Sequence, residues 1–210
     1  MHNKLQYISQ GNTLNEQLFH IESVLHNGGK WIQVRFKNGT EKERYLLAES
    51  AKKSCKKHNA TLIINDDVAL AKEINADGVH LGLDDMAISK ARLILGKEKI
   101  IGGTANTLQD VFQRYHEKCD YIGLGPFRFT DTKQQLSPIL GHNGYFTIMQ
   151  LLNDLDYTIP VYAIGGITLN DIDSLLETGI HGIAVSGMIT NNSNQKQLLT
   201  QLNQKLYESS

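Results

Sequence analysis

Two rhythms of apolar and polar residues take turns along this chain. Short runs rich in β-branched and aromatic residues fall at positions 5–9, 31–37, 61–66, 78–83, 100–105, 121–127, 161–167 and 182–189, and each reads as a strand. Between them the apolar residues recur at helical spacing. Leu14–His26 is the clearest case, with Leu14, Leu18, Ile21, Val24 and Leu25 on one stripe. Thr13, Asn15, Thr107, Thr168 and Asn170 are candidate helix starts, because their side chains accept the unpartnered first amides.

Strands that alternate with helices imply parallel pairing through right-handed crossovers. Eight such units without a linker or low-complexity stretch favour closure into a single-domain (β/α)8 barrel, of the α/β class, over an open sheet. The 210 residues suit that fold with few insertions, since such barrels typically take roughly 250. The one break in the rhythm is the aperiodic segment 127–141, which follows a strand and so leaves the barrel at the face where active sites lie.

Composition changes the picture mainly by exclusion. Lysine and arginine number 21 against 22 acidic residues, a net charge of -1, which lacks the basic excess of nucleic-acid or membrane-surface binders. No apolar stretch is long enough for a membrane span, and Met1 is followed by no signal core. Cys55 and Cys119 lack metal-type spacing and read as reduced thiols of a cytoplasmic protein. A homo-oligomer is compatible with all of this, and the sequence leaves that state open.

The informative residues are those a core would not choose. In 31–37, Ile32, Val34 and Phe36 share the face that suits the helix layer, so Gln33, Arg35 and Lys37 should look into the barrel. Buried cations need anionic partners. Either the segment is an edge strand or its charges await an anionic ligand, and an eightfold parallel pattern leaves no edge. The next strand ends in Asn65, Asp66 and Asp67, one of which should cap the following helix. The strand after that ends in Asp84 and Asp85. Carboxylates, waters and phosphate oxygens are the ligands Mg2+ prefers, so two acidic strand ends beside a cationic one suit a diphosphate. His80 reads as a satisfied core residue. Near the end, Gly165 and Gly166 follow one strand, and Val185, Ser186 and Gly187 close the last. Glycines there let backbone amides approach a phosphate, at the place where barrels commonly bind one.

Taken in order, Gln33-Val-Arg-Phe-Lys37, Ile64-Asn-Asp-Asp67, Ala76-Asp-Gly-Val-His-Leu-Gly82, Gly123-Leu-Gly-Pro126, Thr130-Asp-Thr-Lys133 and Ile164-Gly-Gly-Ile-Thr168 resemble the motif series of the thiamine phosphate synthase family. The resemblance runs from about residue 5 to about residue 205. It implies a transferase that joins a pyrimidine diphosphate to a thiazole phosphate, carboxylated or decarboxylated, giving thiamine phosphate and diphosphate. It also implies site roles. Gln33, Val34, Arg35, Phe36 and Lys37 receive the pyrimidine diphosphate together with Asn65, Thr104 and Lys133. Asp66 and Asp85 hold Mg2+. Thr130, Asp131, Thr132, Gly165, Gly166, Val185 and Ser186 hold the thiazole phosphate. Arg35, Lys37 and Lys133 act as catalytic charges. The sequence departs from the family pattern at Leu83, where Gln is common, and at Asn106, where His is common.

The chemistry expected from the resemblance is dissociative: diphosphate leaves first, and the thiazole nitrogen attacks the resulting pyrimidine-stabilised cation. Positive charge at the leaving group and a second anchor for the thiazole would serve it. The 127–141 segment would then act as a lid against water. A thiazole tautomerase-like isomerase on the same barrel is the rival reading. It would need the phosphate loops but neither the paired acids nor the cations.

Overall fold

The computed structural model describes residues 3–129 and 138–208. Strands β1 (Leu5–Ile8), β2 (Trp31–Val34), β3 (Thr61–Asn65) and β4 (Gly78–Leu81) pair in sequence order. They continue through β5 (Ile100–Ala105), β6 (Tyr121–Leu124), β7 (Val161–Ile164) and β8 (Gly182–Val185), and β8 returns to β1 to close the barrel. Every pairing is parallel, with β8 in register against β1 through Leu5 and Ile183.

Helices α1 (Leu14–His26), α2 (Glu41–His58), α3 (Val68–Glu73), α4 (Ile88–Leu95) and α5 (Leu108–His116) follow the first five strands. α6 (Gly141–Asp154) and α7 (Ile172–Glu177) follow β6 and β7, and a short α8 (Gly187–Thr190) precedes the long α9 (Gln195–Glu208). The starts are chemically marked. Thr13 accepts from the Glu16 amide, and Thr40 and Thr107 form reciprocal capping boxes with Glu43 and Asp110. Asn15 and Asn170, offered as starts, lie inside α1 and inside the 3-10 turn Leu169–Asp171, because the preceding threonines already hold those positions.

Alternation along each strand sorts the core into two bodies. Ile32, Val34, Leu62, Ile64, Ile122 and Leu124 point outward and pack under the helices, against residues such as Ile21, Val24, Leu47 and Ala51. Each fully buried aliphatic side chain contributes about 1.5–3 kcal/mol there. Trp31, Ile63, Tyr121 and Tyr162 point inward and fill the lower barrel. The three rings meet edge to face, with centroids 5.0 Å, 5.0 Å and 5.5 Å apart. Gly102 makes room for this plug, since a Cβ there would lie 2.1 Å from the Tyr121 ring.

Most strands stop short of the sequence expectation at their C-terminal ends. β2 ends at Val34 rather than at residue 37, β6 at Leu124 rather than 127, and β8 at Val185 rather than 189. At these points the backbone leaves the ladder to shape the mouth, where Asp66, Gly165 and Gly166 take positive φ. Among the described residues no helix is long and apolar enough to cross a membrane. Both cysteines are buried and free.

Candidate active site

The barrel interior changes character from floor to mouth. Above the aromatic plug lies a polar layer. Gln33 Nε2 donates to Gln6 Oε1 at 2.9 Å, and Gln6 Nε2 donates to the Tyr121 hydroxyl at 3.2 Å. Tyr121 is 3.0 Å from His80 Nδ1, and His80 Nε2 is 3.0 Å from Thr104 Oγ1. Burial, with Arg114 close by, holds the His80 pKa down to about 4, so the imidazole is neutral near neutral pH. The expectation of a satisfied core histidine agrees with this.

At the rim above Asn65 the charges gather. Because β2 ends at Val34, Arg35 and Lys37 are not walls of the barrel, as the strand reading had them, but members of the loop that tops it. Only Gln33 of the three reaches into the interior. Arg35 is half-buried, and desolvation lowers its pKa from the ordinary value while nearby Asp66 works against that. Lys37 is an exposed cation, its Nζ 3.7 Å from Asp66 Oδ2. Val34 and Phe36 turn their side chains into the core, at 5% and 6% exposure, so their contribution to a ligand is limited to backbone atoms.

Three neighbouring acids divide the work. Asp67 caps α3, accepting from Leu70 at 2.9 Å. That leaves Asp66, at φ 64°, a left-handed conformation that Asp tolerates better than bulkier residues. The turn sends its carboxyl against that of Asp85. Burial and the contact with Asp85 push the Asp66 pKa up to about 6, against the pull of Lys37 and Arg35. Asp85 in turn accepts from the Gly82 amide at 2.5 Å. Two carboxylates forced together at the mouth form a hard oxygen donor pair that a divalent cation would relieve. No cluster of three or more acidic, His or Cys residues gathers among the described residues, so the remaining ligands would come from phosphate oxygens and water.

Residues that sequence reasoning missed brace this half. The buried Arg114 of α5 donates to Thr104 O at 3.0 Å, to Gly82 O at 2.8 Å and to Glu117 at 2.8 Å. It therefore ties together the ends of β4 and β5, which carry Asp85 and Thr104. Gly103 leaves the space, since a Cβ there would lie 2.7 Å from the Arg114 side chain. Asn106, at the departure from the family pattern, is buried and its side-chain amide donates to Gly125 O.

The opposite half of the mouth is built of backbone. Gly165 and Gly166 have φ of +87° and +69°, and a Cβ on either would come within 2.7 Å or 2.8 Å of Pro126 or Arg128. Arg128 donates to Gly166 O at 3.0 Å and grips Asp171 with both guanidinium nitrogens. Asp171 also receives the Thr168 amide and hydroxyl at 2.8 Å and 2.7 Å, and the Arg128 guanidinium, helped by these bonds, holds its pKa down to about 2. Tyr145 clamps the ends of β6 and β7 by bonding Leu124 O and the Ile164 amide. Val185 is a core side chain, and Ser186 starts α8 with its hydroxyl 3.2 Å from Gln10 Oε1. The first amides of a helix have no partner inside it and face an anion readily. Thr130, Asp131, Thr132 and Lys133, with most of the expected lid, lie outside the described residues. Surface hollows of about 370 Å3 beside Phe19 and His20, and beside Asp77 and Lys99, touch none of these groups.

A closed parallel barrel with a charged half and a glycine half at its C-terminal mouth has the architecture of a (β/α)8 enzyme. The family model described as thiamine monophosphate synthase matches residues 5–189. The thiamine-phosphate synthase of Flavobacterium johnsoniae is 61% identical over 207 residues, covering 99% of this chain and 98% of its own. That of Flavobacterium psychrophilum is 59% identical over 206 residues, covering 98% and 100%. The solved thiamine phosphate pyrophosphorylase from Pyrococcus furiosus superimposes with a TM-score of 0.85 at 28% identity, covering 98% of this chain and 96% of the other. The chain belongs to the thiamine monophosphate synthase family.

Proposed function

We propose that the protein joins a pyrimidine diphosphate to a thiazole phosphate, forming thiamine phosphate and releasing diphosphate. The observation that carries the reading is the rim cluster of Arg35, Lys37, Asp66 and Asp85, two cations beside two crowded carboxylates, which fits a diphosphate held through a divalent cation. Identity of 61% to a relative named for this synthesis supports the transferase, and nothing in the comparisons favours the isomerase.

In this reading Asp66 and Asp85 hold Mg2+, which would supply positive charge to the departing diphosphate. Arg35 and Lys37 orient the same group, and Lys133 adds a third cation to it. Asn65 and Thr104 face the pyrimidine. Gly165, Gly166, Ser186 and the Thr130–Thr132 stretch hold the thiazole phosphate and so direct its nitrogen at the exocyclic carbon. The thiazole nitrogen is itself the nucleophile, so no side chain need become one.

The test is direct. Purified protein given both substrates and Mg2+ should yield thiamine phosphate by mass spectrometry, and EDTA should abolish the yield. Full turnover in EDTA would remove the metal from the scheme; no product under any condition would remove the transferase.

A further inference from the structure

The polar layer inside the barrel spans five strands and joins two residues read as facing the pyrimidine, Gln33 and Thr104. Beyond Gln6 the hydrogen bonds of this chain share one direction, because a phenol, a neutral imidazole and a hydroxyl each have a single proton to pass on. The Gln33 amide donates to Gln6, and the Gln6 amide donates to the phenol oxygen of Tyr121. The phenol then offers its proton to His80 Nδ1, 3.0 Å away. A neutral imidazole that accepts at Nδ1 carries its proton on Nε2 and donates it to Thr104 Oγ1, also at 3.0 Å. The proton of the Thr104 hydroxyl is thereby displaced toward the mouth.

The layer is accommodated by the absence of side chains beside it. A Cβ at Gly102 would strike the Tyr121 ring at 2.1 Å, and one at Gly123 would stand 3.1 Å from His80 Cε1. The backbone of Thr104 is held separately by Arg114 at 3.0 Å, so only its hydroxyl rotor remains to be set.

We infer that His80 and Tyr121 are positioning residues for substrate recognition: they fix Thr104 as a hydrogen-bond donor aimed at an acceptor on the pyrimidine. The inference rests on the reading of Thr104 as a substrate-facing residue. Neither ring touches the substrate; both act through the threonine hydroxyl.

A double-mutant cycle on the full chain with Mg2+ tests it. Removing the imidazole risks the fold, so the variant of choice is Tyr121→Phe, which keeps the ring against Trp31 and Tyr162 and deletes only the hydroxyl. Thr104→Val should lower kcat/KM for the pyrimidine diphosphate about tenfold, the scale of one lost hydrogen bond, with the thiazole phosphate KM unmoved. Thr104→Ser should retain wild-type behaviour. Tyr121→Phe should lower the same constant about fivefold in the wild-type background and not at all beside Thr104→Val. Inhibitors in which each pyrimidine nitrogen is replaced in turn by C–H should include one that wild type binds about tenfold more weakly and Thr104→Val does not. A costly Thr104→Val with an undiminished Tyr121→Phe effect in the double variant overturns the inference alone. A silent Thr104→Val overturns the substrate-facing reading, and the inference with it.

Discussion

The two halves of the barrel mouth, each proposed to hold an anion, are built of different materials. From β2 to β5 the binding groups are charged side chains, and their burial or crowding shifts their pKa values: Arg35 down, Asp66 up. From β6 to β8 the groups are backbone, and the charge pair of Arg128 with Asp171 holds the loops. The charged half crowds two carboxylates against each other, whereas the side chains of the glycine half bond one another. Side chains that repel one another are therefore the mark of chemistry here, and side chains that satisfy one another are the mark of scaffolding.

That contrast can be broken from either side. The largest effect belongs to Asp66→Asn, which keeps the shape and removes the charge: kcat should fall about a hundredfold or more. Millimolar Mg2+ should raise the melting temperature of the wild type and leave the variant unmoved. Equal metal stabilisation of both would place the cation elsewhere. Next comes Gly166→Ala, in which a left-handed φ and a Cβ 2.8 Å from Arg128 combine. Stability should drop by about 1–3 kcal/mol, and the thiazole phosphate KM should rise roughly tenfold while the pyrimidine diphosphate KM holds. Calorimetric titration with each substrate separates the two.

The smallest effect is a pH dependence. The Asp171 pKa is depressed to about 2, so its pairing with Arg128 stabilises the fold at pH values above the ordinary carboxylate range and is lost as pH falls toward 2. Half-exposure of Arg128 limits the contribution to about 1 kcal/mol. Arg128→Met should accordingly be less stable than wild type at pH 6 by denaturant unfolding, and the gap should narrow as the pH drops from 4 to 2. A gap constant with pH would mean that the arginine acts instead through its packing on Phe127, whose ring centroid lies 4.7 Å from the guanidinium carbon.

Legibility in the sequence follows the range of the interactions. The eight strands, the bounds of α1 and the capping role among Asn65, Asp66 and Asp67 were readable because period and caps are local signals. Strand ends were overrun because the residues beyond Val34 and Leu124 keep a strand-like apolar alternation while their backbone already serves the mouth. The paired acids were legible as candidates, but their contact depends on the left-handed turn at Asp66, which the letters do not announce. Arg114 drew no reading, since nothing in its local sequence marks a helical arginine as buried. Gln6 and Tyr121 stand 115 residues apart, and no local pattern predicts that they bond.

Arg114 has one more consequence. A helix on the outside of a barrel ordinarily frays on its own, and its amides exchange with solvent well before the sheet opens. α5 is different, because its buried guanidinium is bonded to the carbonyls of Gly82 and Thr104 beyond it. Unwinding that helix would strand both carbonyls and the arginine together. Hydrogen–deuterium exchange should therefore find α5 leaving solvent protection in step with β4 and β5, as one cooperative unit, while neighbouring α4, whose Leu93 is 87% exposed, exchanges sooner.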